Sequence, residues 1–314
     1  MPSAERPHPA ALDPGLRGAR GAALLATGKI NLLLRILARE ETGHHQLETL
    51  FARIALADEV RVRVDGGGRF LSCDGPAMPA GGLGPAEENL AWRAAAAFAE
   101  HGWPENFTIT ITKNIPVGAG LGGGSADAAA VLRILSALRP TPLSTAVLAR
   151  IASRLGADVS FLATALPTAL GWGRGDRLLA LPTLRSSQCW ILVPPFGVAT
   201  RDAYAWLDGD RTADHPPSRP PLSVEALSSW HAVALLAAND FSAVVGRRHP
   251  SLTRAVDHLH DRGASLALLA GSGSSVFGVF DPPITAEALA APRELGRWIE
   301  TETVSDVVPP QPID

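Results

Sequence analysis

Phe107, Ile109 and Ile111 alternate with Thr108, Thr110 and Thr112, and a run of small residues then gives way to an almost continuously apolar stretch, 126–138. A period of two followed by a long apolar run predicts strand, loop and helix. Read the same way, the chain predicts a strand over 22–37, a second over 43–51, an amphipathic strand over 60–64 and a Gly/Pro loop over 73–88. A helix from Asn89 to Glu100 ends at His101-Gly102, and another over 144–155 is closed by Gly156. Composition shifts at 171–175, and beyond it the pattern predicts a buried strand over 190–193, a helix holding Tyr204 and an exposed Pro-rich loop over 208–221. Helices over 223–238 and 251–262 and strands over 265–269 and 276–280 complete the pattern. Residues 1–20 lack periodicity and predict a mobile extension, and the Pro-rich stretch 304–314 predicts an unstructured tail. Two bodies remain, 21–172 and 173–303.

The loop between the threonine-rich strand and its helix is Pro116-Val117-Gly118-Ala119-Gly120-Leu121-Gly122-Gly123-Gly124-Ser125-Ala126-Asp127, with five glycines in seven positions from 118 to 124. So bare a backbone tolerates positive φ and lets N–H groups converge at the positive end of the following helix, where phosphate is the natural guest. A tight strand-to-helix connection needs fewer glycines. Gly118, Gly120 and Gly123 satisfy G-x-G-x-x-G, but the helix runs into Arg139-Pro140-Thr141-Pro142 and no second strand with a ribose-binding acid follows, so the dinucleotide reading fails. Walker A needs Lys directly before its Ser/Thr, and here Gly124 precedes Ser125.

Any lysine must come from elsewhere, and only two exist, Lys29 and Lys113, against 26 arginines. Each stands within or beside a motif, where a compact ammonium differs from a planar fork. Lys29 and Asn31 share one face of an apolar strand, a pattern that fits a cleft or a solvated edge. His44 and His45 fall on opposite strand faces with no third ligand at metal spacing, which favours hydrogen bonding or stacking over zinc. Asp158 is a carboxylate between apolar neighbours, either a helix cap or a catalytic group. Ala270–Ser275 is a second small-residue loop, a hairpin turn or a second approach to the same ligand.

Composition narrows the class. The 314 residues suffice for two cores, 46% hydrophobic with 19% charged content fits a globular protein, and a net charge of −3 argues against a nucleic-acid partner. Cys73 and Cys189 form no C-x-x-C, the N-terminus lacks the order of a signal peptide, and 263–280 carries too many glycines and serines to span a membrane. A cytoplasmic location is expected, as monomer or homodimer.

The Lys29/Asn31 strand, the 116–127 loop, Gly-Ala-Asp at 156–158 and Gly-Ser-Gly at 271–273 together resemble the GHMP kinase superfamily, over about residues 25–280. Gly43-His44-His45-Gln46-Leu47-Glu48-Thr49-Leu50-Phe51 resembles its branch that phosphorylates 4-diphosphocytidyl-2-C-methyl-D-erythritol in the non-mevalonate isoprenoid pathway. The resemblance implies an α+β fold of two domains, an N-terminal ribosomal-protein-like β-α domain that binds ATP and a C-terminal ferredoxin-like α/β sandwich. It places ATP over Pro116, Gly118, Gly120, Gly122, Gly123, Gly124 and Ser125, with Ser125 helping to hold Mg²⁺. Asn89 and Lys113 match positions near the nucleoside, and Gly271, Ser272 and Gly273 close the cleft.

Lys29 and Asp158 match the catalytic pair. His45 matches the residue that reads cytosine and Tyr204 one that stacks on it, with Asn31 also on the substrate side. His44 stands where the other stacking aromatic is usually Tyr, and Ser160 where Pro is common, which should loosen the turn after Asp158. A homoserine or mevalonate kinase, or a catalytically silent nucleotide-binding protein, is the alternative.

Overall fold

The computed structural model describes residues 15–141, 143–210 and 221–314. Its elements in order are β1 (Gly21–Arg39), β2 (His45–Arg63), β3 (Arg69–Asp74), α1 (Leu90–Ala99), β4 (Phe107–Thr112), α2 (Gly123–Leu138), α3 (Thr145–Leu155), α4 (Ala157–Leu162), β5 (Thr168–Gly173) and β6 (Arg177–Ala180). The second half holds β7 (Gln188–Val193), α5 (Thr200–Asp210), α6 (Trp230–Leu236), β8 (Ala238–Asn239), α7 (Phe241–Arg248), α8 (Pro250–Asp261), β9 (Leu266–Leu269), β10 (Val276–Phe280), α9 (Ala286–Leu289), β11 (Arg297–Glu302) and β12 (Gln311–Pro312).

β1 and β2 form a long antiparallel ribbon that organises the first sheet, ordered β12-β1-β2-β4-β3, with β5 and β6 added along the first half of β2. The Phe107/Ile109/Ile111 face of β4 is fully buried, as its alternation predicts, and packs in one core with the apolar residues of α1 and α2. The second sheet, β11-β7-β10-β9, is antiparallel throughout and is covered by α8. The sheets approach each other where β8 pairs parallel with Leu33–Leu34 of β1, and where Ile54 bridges Thr303.

Several expectations need correction. The stretches 43–51 and 60–64 fall largely in one strand, β2, which runs through buried Arg53 and Asp58 and a bulge between them where the apolar alternation breaks. β3 lies partly in the expected loop, paired in parallel with β4. α7 was not legible between two helices whose boundaries it blurs. The first sheet continues through β6, so the change of sheet falls after Ala180 rather than at 172/173. The tail does not hang free: Gln311 and Pro312 pair with Ala23 and Ala22, an edge position where Pro is tolerated. Residues 1–14 of the expected extension lie outside the described residues, as does most of the 208–221 loop. Of the extension's remainder, Leu16 donates its N–H to Ala137 O at 2.7 Å and packs on the core.

Candidate active site

Between the two sheets lies a cleft of about 560 Å³, lined on one wall by 116–125 and on the other by Gly271, Ser272, Thr200 and Tyr204. The glycine loop earns its composition locally. Gly118, Gly120 and Gly122 have φ of 73°, 77° and 74°, the left-handed region that costs other residues about 1–2 kcal/mol. Gly120 is also fixed by contact, since a Cβ there would lie 2.1 Å from Ala270 O. Gly122 caps α2 with no side-chain hydrogen bond, so the first-turn N–H groups at Gly123, Gly124 and Ser125 have no partner within the helix. That is a donor set suited to phosphate.

The two glycine loops touch, as the sequence left open: Ser275 N donates to Ala119 O at 3.3 Å. The second loop is also a hairpin turn between β9 and β10, and its Gly271 and Ser272 line the same cleft as the first loop. Asn239 ties it down by donating from Nδ2 to Leu269 O at 2.8 Å and Gly271 O at 2.7 Å, while its Oδ1 accepts from Phe241 N at 2.9 Å. Ser272 Oγ lies 3.0 Å from Thr200 Oγ1.

Lys29 sits at the cleft floor, held by its own N–H to Leu121 O at 2.9 Å. Its buried Nζ donates to Asn31 Oδ1 at 2.8 Å and lies 3.4 Å from Asp158 Oδ2. Asn31 passes the orientation on, donating to Thr49 Oγ1 at 2.7 Å, which donates to Leu33 O at 2.8 Å. The Lys29/Asn31 face is therefore a cleft and not a solvated edge. Asp158 lies in the first turn of α4 without capping it, a third of its side chain open to the cleft. Ser160 does not loosen this turn. Its N–H donates to Gly156 O at 3.3 Å, a bond Pro could not make.

Lys113 is placed differently. Its buried ammonium contacts Asp58 and, at 2.6 Å, Asp127, beneath the loop. Burial opposes its charge, but the two carboxylates outweigh that and raise its pKa. Asp58 also accepts the N–H of Asn114 and, at 2.8 Å, of Ile115. Asp127 has the single ammonium, and its Oδ1 is buried without a partner. Burial therefore pushes the Asp127 carboxyl up to about 7, against the pull of Lys113 and aided by Asp58. Asn89 caps α1, accepting Ala91 N at 2.9 Å, at the cleft edge.

A second cavity of about 440 Å³ adjoins the cleft, sharing Leu47, Arg174 and Tyr204 with it, and is also lined by His44, His45, Arg39 and Asp208, among others. His45 and Tyr204 stack at 4.5 Å with planes 25° apart, and His45 Nε2 lies 2.7 Å from Asp208 Oδ1. Burial first, then the charges of Asp158 and Asp208, push the Tyr204 hydroxyl up to about 12, so it stays neutral. His44 is exposed, 3.2 Å from Thr42 Oγ1 at the same cavity. Sequence reasoning missed Asp208, Thr200 and Asn239, which carry no local motif. Arg174 lay within the Gly171–Gly175 run, where glycines masked it.

Family comparison agrees with this geometry. Residues 89–165 match the GHMP kinases N terminal domain and residues 223–293 the GHMP kinases C terminal, which sets the class. A 4-diphosphocytidyl-2-C-methyl-D-erythritol kinase from Moorella thermoacetica is 38% identical over 272 residues, 85% of this chain and 93% of the relative. One from Syntrophus aciditrophicus is 38% identical over 281 residues, covering 88% and 96%. A crystal structure of 4-(cytidine 5'-diphospho)-2C-methyl-D-erythritol kinase superposes with a TM-score of 0.72 at 34% identity, covering 90% of this chain and 98% of that one. The chain belongs to the 4-diphosphocytidyl-2-C-methyl-D-erythritol kinase family of the GHMP kinases.

Proposed function

We infer that the protein transfers the γ-phosphate of ATP to the 2-hydroxyl of 4-diphosphocytidyl-2-C-methyl-D-erythritol. The observation that carries this is a pair of adjoining cavities sharing Leu47, Arg174 and Tyr204, the first with the phosphate-type loop and the Lys29–Asp158 pair, the second with the His45–Tyr204 stack. Phosphoryl transfer asks the protein mainly for positioning and charge. Asp158 accepts or orients the acceptor hydroxyl's proton, and Lys29, 3.4 Å from it, meets the transferring oxygens. The α2 N-terminus and the glycine-loop N–H groups hold the polyphosphate. Mg²⁺ bound with the nucleotide would neutralise phosphate charge, and the half-buried Ser125 hydroxyl is placed at the α2 N-terminus to share in holding it. Asn89 and Lys113 lie beside the nucleoside end, Lys113 acting through the carboxylates it binds.

In the second cavity His45, oriented by Asp208, faces the cytosine edge, Tyr204 supplies a neutral ring for stacking, and His44 lies at the rim. The arginines at this rim, Arg39 and Arg174, suit a diphosphate. Unpaired Cys73 and Cys189 suit a reducing compartment, which supports action in the cytoplasm. Substrate binding to His45→Ala tests the reading. The expected result is at least about tenfold weaker binding of the cytidyl substrate, the order of one lost charge-oriented hydrogen bond, with ATP affinity nearly unchanged. Equal weakening of both ligands would remove the cytosine assignment.

A further inference from the structure

Arg53 lies on β2 directly opposite Lys29 in the ladder, yet its side chain is buried and does not line the cleft. Its Nη1 donates to Thr27 Oγ1 at 2.9 Å, two residues before Lys29 and at the register shift between Thr27 and Lys29. On the other side Nη2 donates to Leu162 O at 2.8 Å and Thr164 O at 2.7 Å, and Nε to Leu166 O at 2.9 Å. These carbonyls are at and just beyond the C-terminal end of α4, whose first turn carries Asp158. The guanidinium also lies over Phe161, 5.1 Å from its ring centroid, and Phe161 stacks on Phe51 of β2 at 4.8 Å.

We propose that Arg53 is a positioning residue for phosphoryl transfer, clamping α4 to β1 so that Asp158 stays in register with Lys29. α4 has six residues, too few to hold its own position. Its N-terminal end begins at Gly156, without a side-chain cap. The planar fork of Arg53 satisfies carbonyls at the other end from a fixed point on the sheet, and places a cation where the helix dipole is negative. The same fork fixes the strand segment leading into Lys29. One side chain thereby sets the 3.4 Å separation of the two groups from both sides. A displacement of about 1 Å between reacting groups can lower a rate on the order of 10²-fold without weakening binding.

The inference rests on the assignment of Asp158 and Lys29 to the reaction, and its test carries one readout that needs no substrate. Arg53→Met, Arg53→Lys and Thr27→Val are compared with the unaltered chain by amide hydrogen exchange over 157–164 and by steady-state kinetics with ATP and the cytidyl substrate. Arg53→Met is expected to speed exchange in α4 at least about tenfold while β4 and α2 stay protected, and to lower kcat at least about tenfold with both KM values within about threefold. Arg53→Lys, which keeps the charge but not the fork, should restore part of kcat, and Thr27→Val should lower kcat less than Arg53→Met. Wild-type exchange in α4, or an unchanged kcat, in folded Arg53→Met overturns the proposal. If Arg53→Met does not fold, unchanged exchange and kcat in both Arg53→Lys and Thr27→Val overturn it equally. Should the unaltered chain be inert towards the cytidyl substrate, the proposed function fails, and α4 exchange still decides whether Arg53 is the clamp.

Discussion

Lys29 faces one carboxylate and Lys113 two, and this difference separates their roles. Lys29 meets the half-open Asp158 in the cleft, whereas Lys113 is enclosed with Asp58 and Asp127, one acid more than its charge can balance. Asp58 has backbone donors as well, so Asp127 is the member that holds a proton most readily. Its carboxyl rises from an ordinary 3.8 to about 7 in the folded chain. A raised folded value means that its contribution to stability is complete below about pH 4 and is lost as pH climbs to about 7. Asp127→Asn cannot titrate, so the variant should gain on the wild type between pH 4.5 and 7.5, by an amount on the order of 1–4 kcal/mol. Urea midpoints at the two pH values check this, and a difference that stays constant contradicts it. At this scale Lys29 and Asp158 stood out in the sequence as polar groups in oily runs, and His45 through the family resemblance of 43–51. Asp58 was not, because its partner lies 55 positions away and only the β2–β4 pairing brings them together.

Among the elements, the glycine loops were the most legible feature, since backbone at positive φ writes itself into sequence as glycine. Their mutual contact was not legible. Gly118 and Gly120 share a φ near 75°, but a Cβ at Gly118 meets nothing within 4 Å and one at Gly120 strikes the other loop. Gly118→Ala should therefore lose only the conformational term, about 1–2 kcal/mol. Gly120→Ala should also push the loops apart and weaken ATP binding at least about tenfold more than Gly118→Ala does. Calorimetric titration of both variants with a non-hydrolysable ATP analogue measures the difference, and equal losses would show that loop contact is immaterial to nucleotide binding. α4 and α7 were the hardest elements to read, because α4 is short and depends on groups outside itself.

For the whole molecule, the two-domain α+β fold followed from the family resemblance, with two domains suggested by the length and the composition shift at 171–175, while the joints between the sheets did not. β8 is two residues long, and its pairing with β1 depends on Asn239 and Asp240, polar residues between the helices expected over 223–238 and 251–262. Asp240 does more, accepting the N–H of Ile36 at 2.8 Å from the strand that bears Lys29. The tail reads as disordered because its Pro content hides two residues of edge pairing. These joints and the Ser275–Ala119 contact hold the two glycine loops on one cleft, so in the proposed reaction the substrate would meet both walls at once. Homoserine and mevalonate offer a hydroxyl but no base for the His45–Tyr204 end. The most direct measurement is ADP release with ATP and each of the three acceptors in turn, with Asp158→Asn as the control. The account predicts turnover with 4-diphosphocytidyl-2-C-methyl-D-erythritol at least about a hundredfold above the other two, lost in Asp158→Asn. Comparable turnover with mevalonate or homoserine, or near-normal turnover in Asp158→Asn, would contradict it.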